Sequence, residues 1–125
     1  MSAEFPVTIY HNPACGASRN TLAMLREAGH VPAVVEYLKV GWTRPKLEEI
    51  LARIPARPRD ILREKGTPAA ELGLLDPAAT DDQILDAMIA HPILVNRPIV
   101  TTPLGARLAR PIERVREILS QQEGA

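Results

Sequence analysis

The order of apolar segments predicts an α/β fold: β-α-β, a run of helices, then β-β-α, with the strands in one four-stranded mixed sheet. Three observations carry this. First, the β-branched segment Val7-Thr8-Ile9-Tyr10 is followed by a helical pattern and then by a second apolar run, Val34-Val35-Glu36-Tyr37-Leu38. Strand, helix and strand in that order form a βαβ unit with a parallel pair and a right-handed crossover. Second, Ile99-Val100-Thr101-Thr102 and Ala106-Arg107-Leu108-Ala109-Arg110 flank Pro103-Leu104-Gly105, the pattern of an antiparallel hairpin. Third, the stretch between, from about residue 41 to 91, has helical rather than strand periodicity.

Each element has its own signal. In the first helix Leu22, Leu25 and Ala28 recur at helical spacing, and Gly29 stands where a helix stops. The second strand is apolar enough to be buried on both faces. Gly41-Trp42 turns the chain, Thr43 caps a helix, and Leu47, Ile50, Leu51 and Ile54 form its apolar stripe. Pro58 opens a short helix through Ile61, Leu62 and Arg63 to Lys65, closed by Gly66. Residues 66 to 79 read as turns around a brief helical piece, Ala69 to Leu72. Thr80-Asp81-Asp82-Gln83 matches a capping box, opening a helix that runs to His91 and stops before Pro92. Pro111 opens a last helix with Ile112, Val115, Ile118 and Leu119 on one face, and the tail from Gln121 to Ala125 is expected to fray. Without the insertion, this is the order of a thioredoxin-like fold. Residues 1–125 are read as one domain, with the insertion a helical subdomain that returns directly into the sheet.

Composition narrows the function. Fifteen basic and 15 acidic residues cancel, so nothing draws the chain to nucleic acid or to a membrane surface. Aromatic content is 3%, too low for base-stacking platforms. No apolar run approaches the ~20 residues that span a bilayer. Met1-Ser2-Ala3-Glu4 lacks the basic start of a signal peptide, and a lone cysteine forms no internal disulfide. A reducing cytoplasm is the expected compartment, and a monomer the expected state.

That cysteine, Cys15, lies in the turn between the first strand and the first helix. Cysteine is often simply a small buried residue. A helix N-terminus, however, carries unpaired N–H groups and a partial positive charge, which favour both a thiolate and a bound oxyanion. His11, four residues upstream, could favour the thiolate further as an imidazolium, or be a satisfied loop histidine. One cysteine and three scattered histidines have no metal-ligand spacing, so no metal is expected. Arginines are the natural partners of a tetrahedral oxyanion. Arg97 precedes Pro98 at the entrance to the third strand, Arg110 precedes Pro111 at the end of the fourth, and Arg63 ends a short helix of the insertion. Pro98 is a candidate cis-proline. That the three arginines converge on Cys15 follows from the fold, not from their spacing.

Three stretches resemble a known family. His11-Asn12-Pro13-Ala14-Cys15-Gly16-Ala17-Ser18-Arg19-Asn20-Thr21-Leu22 resembles the active-site segment of the glutaredoxin-coupled arsenate reductases, the ArsC family. His91 to Val100 and Thr102 to Pro111 resemble its second and third signatures, and the likeness runs from about Thr8 to Leu119. The resemblance implies a thioredoxin-like enzyme that reduces arsenate to arsenite, with no bound cofactor, glutathione as co-substrate and glutaredoxin as partner. It implies that Cys15 is the nucleophile that forms a thiol–arsenate adduct, that His11 supports its ionisation, and that Arg63, Arg97 and Arg110 bind the anion. Pro55 and Pro58 depart from the family pattern ahead of Arg63. With one cysteine, the second sulfur that a two-electron reduction needs must come from outside the chain, which matches the glutathione and glutaredoxin route. Two other readings share the scaffold: a non-catalytic regulator that binds RNA polymerase, and a monothiol enzyme that transfers glutathione from mixed disulfides. The regulators often carry Cys-x-x-Cys, where this chain has Cys15 and Ser18.

Overall fold

Val7 to His11 alternates apolar and polar residues only weakly, as suits a strand covered on both sides. In the computed structural model, which describes residues 5–119, β1 spans Thr8–His11 and sits inside a four-stranded sheet. The strand order is β2-β1-β3-β4, with β2 at Ala33–Glu36, β3 at Ile99–Thr102 and β4 at Gly105–Leu108. β1 pairs in parallel with β2 and antiparallel with β3, and β3 and β4 form the expected hairpin. This is the mixed sheet of a thioredoxin-like fold. The readings of Met1-Ser2-Ala3-Glu4 and of the tail from Gln121 lie outside the described residues.

The described residues divide into two compact units, one formed by residues 5–36 and 97–119 and the other by Tyr37–Asn96. The first unit holds the sheet, helix α1 (Gly16–Glu27) and a C-terminal 3-10 helix, Ile112–Ile118. Its core packs Ile9, Leu25, Val100, Val115 and Ile118, each essentially sealed from solvent. Gly29, at φ +93°, ends α1 in the left-handed conformation that glycine adopts without steric cost. An Arg107–Glu117 ion pair, 2.8 Å, ties β4 to the 3-10 helix.

The second unit holds α2 (Tyr37–Val40), α3 (Arg44–Arg53), a 3-10 turn at Pro58–Ile61, α4 (Asp81–Ala90) and a 3-10 turn at Pro92–Leu94. Thr43 caps α3 and Thr80 caps α4, the latter with the full reciprocal box to Gln83. Leu47, Ile50, Ile84 and Met88 fill the core of this unit. The Arg44 guanidinium bonds Glu48 on its own helix and Asp82 and Asp86 on α4.

Several elements differ from expectation. β2 is the edge strand, with Ala33 and Val34 exposed and Val35 and Glu36 half-buried, so it is not covered on both faces. Tyr37 and Leu38, expected to extend it, begin α2 instead. The turn at Pro58 stops at Ile61 because Leu62 leaves to form an isolated bridge with Val95, so Arg63 does not end a helix. Ala69 to Leu72 forms turns only, between Pro68 and Gly73. The final helix is 3-10 rather than α, with Pro111 as its N-cap.

Candidate active site

The strand order gathers the site. β1 and β3 run antiparallel, with Tyr10 opposite Ile99, so the exit of β1 lies beside the entrance of β3. β4 returns antiparallel with Leu108 opposite Ile99, which brings its exit to the same end. The loop carrying Cys15, the segment carrying Arg97 and the segment carrying Arg110 therefore meet at one end of the sheet. Arg97–Pro98 is cis, as the sequence suggested, and so is Arg110–Pro111. Arg110 lies two residues beyond β4 rather than in it.

Cys15 is the N-cap residue of α1, with extended backbone dihedrals and a partly exposed side chain. The loop before it is shaped by local bonds. Asn12 Oδ1 accepts the Ala14 N–H at 3.0 Å, an Asx turn, and the Cys15 N–H donates to the Asn12 carbonyl at 2.9 Å. The Arg19 guanidinium braces the Pro13 carbonyl from outside at 2.9 Å. Sγ forms no regular capping bond, yet the N–H groups of Ser18 and Ala17 face it from the first turn. The Arg110 guanidinium lies 3.6 Å from Sγ, and its Nε donates to the Arg97 carbonyl at 2.7 Å. Burial by itself pushes the thiol up. The Ser18 N–H, the Arg97 guanidinium and the Ala17 N–H together outweigh burial and hold it below its usual range. Sulfur in this setting favours the thiolate, and the surrounding donors suit an oxyanion.

His11 is bonded to the first turn of α1. It is the last residue of β1, buried, with Nδ1 at 2.8 Å from Ser18 Oγ. Burial lowers its pKa first of all; Glu36 opposes that, while Arg26 and Arg19 add to it. Burial thus works against the imidazolium that the sequence offered as one reading. Arg63 belongs to the second unit, where its Nε donates to the Lys65 carbonyl at 3.1 Å and its Nη1 to Asn96 Oδ1 at 3.3 Å. Cys15, Arg97 and Arg110 are thus together in the first unit, with His11 one residue further along a hydrogen-bond chain. Among the described residues, no group of three or more His, Cys, Asp or Glu could hold a metal. Sequence reasoning assigned no role to Asn12, and named Ser18 only as the residue where the regulators carry a second cysteine. Ser18 stands three residues after an N-cap, and Asn12-Pro13 is a turn signature, so both were legible in principle.

The fold and this arrangement define a class: a thioredoxin-like protein whose lone thiol is set among arginine and backbone N–H donors. Residues 10–118 match the ArsC family, and the chain belongs to it. It is 61% identical over 113 residues to an arsenate reductase of Rhizobium meliloti, covering 90% of this chain and 81% of that one. An Escherichia coli arsenate reductase is 52% identical over 120 residues, covering 95% and 85% respectively. An arsenate reductase structure from Vibrio cholerae superposes with a TM-score of 0.87 at 40% identity, covering 92% of this chain and 98% of that one.

Proposed function

We propose that this chain reduces arsenate to arsenite through a covalent adduct on Cys15, with glutathione and a glutaredoxin supplying the thiols. The observation that carries the reading is a thiol favoured as thiolate within reach of Arg110 and Arg97, in a chain closely similar to arsenate reductases. The thiolate attacks arsenic(V) and an arsenate oxygen leaves as water after protonation. Arg97 and Arg110 offset the repulsion between the two anions and stabilise the charge that moves onto oxygen. A glutathione thiolate then attacks Cys15 Sγ, and arsenic departs with the bonding pair as arsenite. The product, a Cys15–glutathione mixed disulfide, is resolved by glutaredoxin, which returns the thiol. One disulfide is formed for each arsenic reduced by two electrons. Reducing thiols at that supply belong to the cytoplasm, and the working unit is a monomer with no nucleic-acid or membrane partner. Arg63 contributes as a third anion-binding group.

The test is an assay with arsenate, glutathione, glutaredoxin and a reductase that regenerates glutathione, followed as NADPH oxidation and arsenite formed. Arsenite produced in step with NADPH supports the reading. Turnover of glutathione mixed disulfides without arsenite assigns the monothiol transferase instead. Inactivity in both assays favours the regulator that binds RNA polymerase. Cys15→Ser is expected to remove arsenite production while circular dichroism stays unchanged; a variant retaining a tenth of wild-type turnover would sink the nucleophile assignment.

A further inference from the structure

Arg63 is half-buried and held far more firmly than a surface arginine ordinarily is. Its backbone N–H donates to the Leu94 carbonyl at 2.7 Å, and its own carbonyl accepts from the Thr67 hydroxyl at 2.7 Å. At the head of the side chain, Nε donates to the Lys65 carbonyl at 3.1 Å and Nη1 to Asn96 Oδ1 at 3.3 Å. Bonds from two different nitrogens fix both the plane and the rotation of the guanidinium. The bond to Asn96 is prepared by the backbone. Leu62 bridges Val95 in antiparallel sense, and the Asn96 N–H donates to the Ile61 carbonyl at 2.8 Å. Alternation about that bridge puts the side chains at 63 and 96 on one face.

We infer that Asn96 is the positioning residue of Arg63: its carboxamide oxygen holds the guanidinium in the orientation in which Arg63 binds the anion. This rests on the reading of Arg63 as an anion-binding group, but not on the reduction of that anion. A free arginine side chain gives up many rotamers when it binds, whereas one already held gives up few. Asn96 suits the part. Its oxygen is a neutral acceptor, so it orients the guanidinium without cancelling its charge, as a carboxylate at the same place would. Asn96 also immediately precedes Arg97 in the chain. One short segment thus carries one anion-binding arginine and the side chain that orients another. The competing account is that Asn96 matters only by shaping the backbone ahead of Arg97. The two accounts differ in what a double variant does.

The test is protection of Cys15 from iodoacetamide by arsenate in the absence of glutathione, which reads anion binding beside the thiol and needs no turnover. Arg63→Ala is expected to raise the half-protecting arsenate concentration about tenfold, and Asn96→Ala roughly threefold. The double variant is expected to match Arg63→Ala alone, because the Asn96 oxygen then has no guanidinium to orient. Alkylation without arsenate is expected to keep the wild-type rate in all three; a changed rate in Asn96→Ala would place its effect on the thiol and overturn the proposal. Equal protection of Asn96→Ala and wild type overturns it too. So do effects that multiply in the double variant, the mark of action through Arg97. If Asn96→Ala fails to fold, Asn96→Leu, of similar size and without the oxygen, takes its place in the same cycle. If arsenate protects Arg63→Ala as well as wild type, or protects neither, the anion-binding reading of Arg63 falls and this inference with it. If Arg63→Ala is impaired and the effects multiply, the inference alone falls.

Discussion

A guanidinium presents two parallel N–H donors to two oxygens of one anion, whereas an ammonium presents a point charge. At the residue scale this makes Lys the informative replacement for Arg97 and Arg110. Charge is kept and geometry is lost. Loss of one charge-assisted hydrogen bond, about 1.5–3 kcal/mol, corresponds to roughly a ten- to 150-fold fall in kcat/KM for arsenate. Arg110→Lys also removes the Nε donor that holds the Arg97 carbonyl at 2.7 Å, so its effect is expected to be the larger of the two. Arg63→Lys is expected to cost less, because that guanidinium is already engaged with the Lys65 carbonyl and Asn96. Steady-state kinetics with arsenate varied and glutaredoxin saturating decides; wild-type behaviour in both Arg97→Lys and Arg110→Lys would move the anion site elsewhere. The thiol and its setting at a helix N-terminus were legible because a strand, a turn and a helix start are all local signals. The burial of His11 was not, since it depends on packing that no local pattern shows.

At the element scale, the two threonine caps differ in quality and so in expected consequence. Thr80 Oγ1 accepts the Gln83 N–H at 3.1 Å while Gln83 Oε1 accepts the Thr80 N–H at 2.7 Å. Thr43 Oγ1 accepts only the Lys46 N–H, at 3.3 Å. Thr80→Ala is expected to cost about 1–2 kcal/mol of stability and Thr43→Ala about 0.5–1, read as shifts in urea midpoint at constant slope. An equal cost for the two would show that the reciprocal bond to Gln83 adds nothing. Both caps were readable from the chain, as were the stripe of Leu47, Ile50 and Leu51 and the strands Ile99–Thr102 and Thr8–His11. What misled was apolar content without context. Val34 and Val35 look like a central strand, but the strand order puts β2 at the edge, a property of pairing and not of composition. Leu62 and Arg63 continue a helical pattern, but a bridge from Leu62 to Val95 ends the turn before them, a contact between residues far apart in the chain.

At the scale of the whole molecule, equal numbers of acidic and basic residues give a sequence pI near 6.8. Without net charge there is little repulsion between copies, and solubility at low salt is expected to be lowest near that pH. The edge of the sheet then matters in a new way, as a possible template for growth between molecules. Ala33 bonds inward to the Val7 carbonyl, so by strand alternation Pro32 and Val34 turn their backbone outward. Proline has no N–H, the strand is only four residues long, and the opposite edge strand carries the Arg107–Glu117 pair. Such edges are poor seeds for extended pairing. Protein precipitated near pH 6.8 should therefore redissolve on a shift to pH 8 with its native circular dichroism and without thioflavin binding; a thioflavin-positive, insoluble deposit would show that the short proline-bearing edge does not stop the sheet.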